Sequence, residues 1–388
     1  MQARCLIQNA HVVSPGVEYS SATIEIADGI IVGIHETPPD QSGQATLFDA
    51  RGLTVVPGFI DIHTHGAAGH DFCDGSIESI QAIAQAKLRE GVTTFLPTTL
   101  TVPFPILEKA FESARIYQSN PEFARAPGIH LEGPFINPKC TGAQNPKYVR
   151  SPDIEEIQQL GQIAPIKIVS LAVEMDGGME LTRSLSDNGI VPSLAHTAAT
   201  FEQFEQAKSL GAKHLTHFCN QMTPLHHREI GLVGAGLLDN EILIEMICDG
   251  IHLVPEMIQL AYKVVGHERI MLITDSMAAS GLADNQTCRL GELEVIVKDG
   301  VARLPSGALA GSTLWLNRAL KNVHEFTGIP LPQLIQTTAW NQAQSLNLPQ
   351  LGKIEAGFHA DLTVLDRDFV PQAVFVAGNE KLGNLSPL

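Results

Sequence analysis

The residues of this chain with chemistry to offer are histidines and carboxylates that close apolar runs. One run ends in Asp61-Ile-His63-Thr-His65, and period-two alternation along a strand puts His63 and His65 on one face. Two imidazoles so placed can hold one ion. Other runs end in His130-Leu-Glu132, Ala195-His196-Thr197, Thr216-His217-Phe218 and Thr274-Asp275-Ser276. A single histidine at a strand end is more often a hydrogen-bonded core or surface residue than a ligand. Several together, with Glu132 and Asp275, read differently. A lone carboxylate at the closed end of an apolar run is costly to desolvate, and a divalent cation removes that cost. Imidazole and carboxylate donors suit zinc or iron rather than calcium or magnesium. A bound ion would lower the pKa of its water from 15.7 to roughly 7 and polarise a carbonyl. Asp275, closing the last run, is placed to take that water's proton and pass it to a departing amine. The predicted chemistry is hydrolysis of an amide. His130 shares the face of Glu132 one layer deeper and reads as a supporting residue, whereas His35, His70, His226, His267, His324 and His359 read as structural or surface residues.

These residues need a frame that brings strand ends together. Eight apolar runs follow one another: PGFIDIH, VTTFLPTTL, GIHLEGP, IKIVSLAVE, IVPSLAH, KHLTHF, ILIEMICDG and RIMLITDS. Segments such as SIESIQAIAQAKLREG and PFPILEKAFESARIYQ separate them, with apolar residues at three- and four-residue spacing. Alternation of this kind predicts an α/β fold, a (β/α)8 TIM-like barrel over residues 57–350, whose chemistry sits where strands end. A doubly wound open sheet fits less well, because GLVGAG at 231–236 has the wrong glycine order for a nucleotide fingerprint. Residues 1–56 and 351–388 instead read as short strands broken by Gly and Asp, with Asp28-Gly29 as a hairpin signal. They predict one small β-sandwich domain built from both termini.

Composition narrows the partners. Of 388 residues 44% are hydrophobic and 17% charged, which supports a sizeable core, and no apolar run approaches the roughly 18 residues of a membrane span. A net charge of -17 argues against nucleic acid and anionic membranes as partners. An anionic substrate therefore needs cations placed at the site. The six cysteines are scattered without a C-x-x-C pair, as expected of reduced thiols. MQARCLIQNAHVV lacks the features of a signal peptide, so the cytoplasm is the expected location.

PGFIDIHTHG, GVTTFLPTTLT, GIHLEGPFINPK, GAQNP, HLTHFCNQM, PLHHREIGLVG, CDGIHLVPEM, LITDSMAASG, LAGSTL and GKIEAGFHADLTVLD resemble the N-acetylglucosamine-6-phosphate deacetylases of the amidohydrolase superfamily over essentially the whole chain. The first motif marks only the superfamily, whereas HLEGPF, THF-N-x-M followed by HHRE, and DGIH before LITDSM are narrower. The resemblance implies conversion of N-acetyl-D-glucosamine 6-phosphate to D-glucosamine 6-phosphate and acetate. It makes Glu132, His196 and His217 ligands of one metal ion, with Asp275 as general base and acid. His63 and His65 then allow a second ion bridged by Glu132, and Gln144, where single-metal relatives carry histidine, points the same way. Many superfamily members bridge with a carboxylated lysine ending the fourth strand. Lys167 begins that run instead, which disfavours a cyclic amidohydrolase.

Arg228 and His252 match phosphate-binding positions of the family, with Arg228 reaching in from the neighbouring subunit of a homodimer; a surface ion pair with Glu229 is the plainer reading. Ala143, Gln144, Asn220, Gln221, Leu309, Ala310 and Gly311 match further substrate contacts. Gln221 replaces a usual alanine and Ile230 a usual proline, which keeps N-acetylgalactosamine 6-phosphate as an alternative substrate. A non-catalytic scaffold fits least, since no ligand is missing.

Overall fold

A computed structural model of the chain describes residues 4–39, 45–383 and 385. Residues 1–3, 384 and 386–388 of the expected β-rich ends, and 40–44, lie outside the described residues. Each of the eight apolar runs contains a strand: Phe59–Thr64, Val92–Pro97, Ile129–Glu132, Ile166–Leu171, Val191–Leu194, His214–Leu215, Leu243–Ile247 and Ile270–Ile273. Nearly every residue in them is buried, as expected of parallel strands covered on both faces. The third to eighth strands form one parallel sheet and the first two pair in parallel. Parallel bridges Thr98 to His130 and Thr64 to Ser276 join the two sets on both sides and close the ring.

Helices alternate with these strands. Ile77–Arg89 begins where the Ser76 hydroxyl accepts the Ser79 N–H at 3.1 Å, and its buried stripe is Ile80, Ile83, Ala84, Lys87 and Leu88. Lys87 is the anomaly on that stripe. Its ammonium, fully buried, reaches Asp61 at 3.0 Å, Glu90 at 3.1 Å, Thr274 at 3.1 Å and Ser276 at 2.9 Å. One cation thus ties the first strand to the end of the eighth, directly beneath the polar strand ends. Lys87→Met leaves two buried carboxylates uncompensated and is expected to lower stability by about 3–5 kcal/mol. Urea denaturation checks this, and a loss below about 1 kcal/mol would refute it.

Strands Arg4–Ser14, Val17–Ala27, Ile30–His35, Ala45–Asp49 and Thr54–Pro57 join Leu362–Leu365, Pro371–Val376 and Asn379–Gly383 in one eight-stranded sheet. Asp28 and Gly29 turn the second strand into the third with φ of 49° and 79°, the left-handed pair that a tight hairpin demands. The sheet packs around its own core, in which Phe48 meets Phe375 edge to face at 5.4 Å. Thr54–Pro57 pairs antiparallel with Leu362–Leu365, so both ends of the chain meet beside the barrel's first strand.

One unit was not anticipated. Thr287–Leu290, Leu293–Lys298 and Val301–Arg303 form a separate antiparallel sheet between the eighth barrel strand and helix Leu316–Thr327. Among the described residues no helix is long and apolar enough to cross a membrane. None of the six cysteines is in a disulfide.

Candidate metal centre and substrate cleft

The polar strand ends converge. Glu132, 1% exposed, stands at the centre. Its Oε1 lies 3.0 Å from His217 Nε2, 3.4 Å from His196 Nε2 and 3.4 Å from His63 Nε2, and its Oε2 lies 3.2 Å from His65 Nε2. His196 and His217 face each other through Nε2 atoms 3.1 Å apart, and His63 and His65 through Nε2 atoms 3.4 Å apart. Asp275 Oδ1 approaches His65 at 3.3 Å and His63 at 3.5 Å. Two triads, His63-His65-Glu132 and Glu132-His196-His217, therefore share one carboxylate.

The tautomers follow from the partners behind each ring. A main-chain carbonyl can only accept, so His65 Nδ1 donates to Thr98 O at 3.2 Å and His196 Nδ1 donates to Cys140 O at 2.7 Å. His63 Nδ1 faces the Glu245 carboxylate at 3.4 Å, while His217 Nδ1 is buried without a partner among the described residues. For His63 and His65 these protons leave two Nε2 lone pairs pointing at each other at 3.4 Å, which no hydrogen bond between the two neutral rings satisfies. A cation does. For ligand bonds of about 2.0–2.1 Å, donors around a tetrahedral ion lie about 3.3–3.4 Å apart. The separations in both triads fit that spacing.

The charges agree. Burial opposes ionisation of Glu132 and Asp275, yet the surrounding histidines hold both below the usual carboxylate range. Burial likewise acts to lower His63 and His65, but the two carboxylates raise both, His65 to about 9. The cluster calls for positive charge between its carboxylates.

Backbone geometry aims the donors. His196, His217 and Asp275 adopt left-handed conformations with φ of 45°, 34° and 49°. Non-glycine residues held there cost on the order of 1–3 kcal/mol each, and they persist where surrounding contacts enforce them. For Asp275 those contacts are its own N–H to His63 O at 2.9 Å and its carbonyl accepting from Ser312 N at 2.7 Å. Gly311 lies beside that carbonyl, where a Cβ would come within 3.1 Å of it, so only glycine passes here unstrained.

Above the triads opens a cleft of about 260 Å3. Of the residues expected at the site, His65, Glu132, His196, His217 and Asp275 line it, with Ala143, Gln144, Asn220, Gln221, His252, Leu309 and Gly311. His63 is buried beneath it. Two more of the expected residues do not line this cleft. Ala310 is fully buried and does not line the cleft, because the alternation that exposes Leu309 turns its neighbour inward. Arg228 is exposed outside the cleft, on a turn in which His226 and Glu229 pair through their main chains; its guanidinium contacts His227 Nε2 at 2.7 Å and forms no ion pair with Glu229.

Gln144 is a stronger participant than a cleft wall. Its amide donates to Glu132 Oε2 at 2.6 Å and accepts the Thr101 N–H at 2.7 Å. His252 is held at Nδ1 by Asp249 at 2.6 Å. Burial acts to lower its pKa, but Asp249 and, more weakly, Asp275 raise it overall. Lys167 stands at the start of the fourth strand and Leu171 ends it, so no lysine reaches the centre from there.

Sequence reasoning missed Glu245 and His214. Glu245, in the seventh strand, takes His63 on one oxygen and His214 Nδ1 on the other at 3.3 Å. The signal was present: Glu245 is an acid in the interior of the apolar run ILIEMICDG, an anomaly like the one that singled out Glu132. His130 is the supporting residue expected, bonded to Ile62 O at 2.9 Å and Ser170 Oγ at 2.7 Å.

The amidohydrolase family model matches residues 54–381. The chain belongs to the amidohydrolase family. This amidohydrolase is 34% identical over 380 residues to the N-acetylglucosamine-6-phosphate deacetylase of Lysinibacillus sphaericus, covering 96% of each chain. It is 37% identical over 359 residues to the N-acetylgalactosamine-6-phosphate deacetylase of Escherichia coli O157:H7, covering 92% of this chain and 93% of that one. A solved N-acetyl-D-glucosamine-6-phosphate deacetylase from Mycobacterium smegmatis, an aspartate-to-alanine mutant in complex with N-acetyl-D-glucosamine-6-phosphate, superposes with a TM-score of 0.91 at 31% identity, over 98% of this chain and all of that one.

Proposed function

We propose that this amidohydrolase hydrolyses N-acetyl-D-glucosamine 6-phosphate to D-glucosamine 6-phosphate and acetate. The observation that carries the reading is one cleft in which two imidazole-carboxylate triads meet around Glu132 and which His252, held by Asp249, also lines. Two divalent ions, zinc or iron, fit the two triads, His63-His65-Glu132 and Glu132-His196-His217. Such ions supply an activated water and a polarised carbonyl. Asp275 takes the proton from the attacking water and delivers it to the departing amine; its ionised carboxylate at the edge of the cleft is ready to accept. Gln144 steadies Glu132, and Asn220, Gln221 and Leu309 bound the sugar. The catalytic barrel spans 57–350 in this reading, with a small domain from 1–56 and 351–388, and the enzyme acts in the cytoplasm.

Arg228 works across a homodimer in this scheme. It stands outside its own cleft, and Leu225 nearby and Ile251 and Val254 beside His252 are 51%, 44% and 53% exposed, apolar surface that a second copy would cover. Arg228→Ala is expected to raise KM about tenfold or more with kcat little changed, a loss above about 1.4 kcal/mol. An unchanged KM would remove Arg228 from phosphate binding.

The function itself is tested by acetate release from N-acetylglucosamine 6-phosphate by protein loaded with zinc, iron, manganese or cobalt. No release with any of them would sink it. The galactosamine epimer belongs in the same assay, because the Gln221 side chain lies against Gly142 at the cleft and the Escherichia coli relative is named for that epimer.

A further inference from the structure

The ligands of the metal centre are not all held in the same way. His65 and His196 have their Nδ1 protons fixed by main-chain carbonyls, Thr98 O and Cys140 O, which no substitution of those residues' side chains removes. His217 Nδ1 has no partner among the described residues, and His63 is held at Nδ1 by a side chain, Glu245, at 3.4 Å. Glu245 comes from the seventh strand, is fully buried, and shares its other oxygen with His214 Nδ1 at 3.3 Å; His214 in turn bonds Ser345 through Nε2. A carboxylate accepting two N–H groups has a reason to be in an apolar strand. The trio His63, His130 and Glu245 is compact enough to suggest an ion of its own, but both ring nitrogens of His130 are occupied, by Ile62 O and Ser170 Oγ.

We infer that Glu245 is a positioning residue for the second metal ion: it fixes His63 as the Nδ1–H tautomer and keeps its Nε2 lone pair on the ion shared with His65 and Glu132. The inference rests on the two-ion reading above. Residues that orient a ligating histidine from behind typically change metal affinity by about 10–100-fold when mutated. In Glu245→Gln the amide offers an acceptor to only one of the two imidazoles and turns an NH2 group toward the other.

The experiment is metal content per chain by elemental analysis, after dialysis against chelator-buffered zinc, for wild type and Glu245→Gln. Wild type is expected to keep two ions and the variant one, with affinity for the lost ion down about 10–100-fold and the other unchanged. Two ions held at wild-type affinity by the variant overturn the inference, and so does loss of both, which would mark Glu245 as a general structural support. A wild type that binds one ion overturns the two-ion reading itself, a result separable from the others. If the variant does not fold, long-range proton-nitrogen NMR of zinc-loaded wild type decides, with His63 assigned by His63→Gln. An Nε2–H tautomer at His63 overturns the inference, and an Nδ1–H tautomer with Nε2 bound to the ion supports it.

Discussion

Asp275→Asn is expected to lower kcat by roughly a thousandfold while leaving metal bound and KM nearly unchanged. Asparagine keeps the shape and an oxygen near His63 and His65, where Asp275 Oδ1 now lies 3.5 and 3.3 Å away. It cannot carry a proton. The Glu132-His196-His217 triad does not involve Asp275, so one ion should stay at full occupancy. Steady-state kinetics with metal analysis on the same preparation checks both halves. Turnover within tenfold of wild type would remove Asp275 from proton transfer, and loss of metal would make it chiefly a ligand.

Glu132→Gln should fail in the opposite way. Glu132 contacts the Nε2 atoms of all four histidines within 3.4 Å, and its carboxylate charge is shared by both triads. The neutral amide leaves each triad with two imidazoles and a weak oxygen donor. Both ions are expected to dialyse away, with turnover down more than about a thousandfold, or about 4 kcal/mol of transition-state stabilisation. Metal content at wild-type level in Glu132→Gln would refute the shared-carboxylate assignment. The pair of variants separates a group that moves protons from one that holds the ion.

The barrel was legible because its strands are covered on both faces and so appear as unbroken apolar runs, each stopped by the polar residue that the strand end presents. The same logic found Glu132, His196, His217 and Asp275. It passed over Glu245 and His214, which lie within strands or at their beginning, where an acid or imidazole is explained only by what crosses from another strand. Lys87 was hidden for the same reason: on the helix Ile77–Arg89 a lysine at a core position looks like a solvated one until Asp61 and Glu90 are seen beside it. The sheet Thr287–Arg303 was merged into the barrel because its strands are short and its outer positions exposed. Arg228's distance from its own cleft lies outside what spacing along one chain conveys.

The segment from Asn137 to Asn145 runs over the cleft and supplies both Cys140 O to His196 and the Gln144 amide to Glu132. Ala143 and Gln144 of the same segment line the space a substrate would fill. In the proposed reading, ligand occupancy and ion retention are therefore linked through this segment. Whatever factor a bound sugar phosphate gains by favouring this placement of Cys140 and Gln144, the ion gains equally, and an ion-depleted chain binds the sugar less tightly by that same factor.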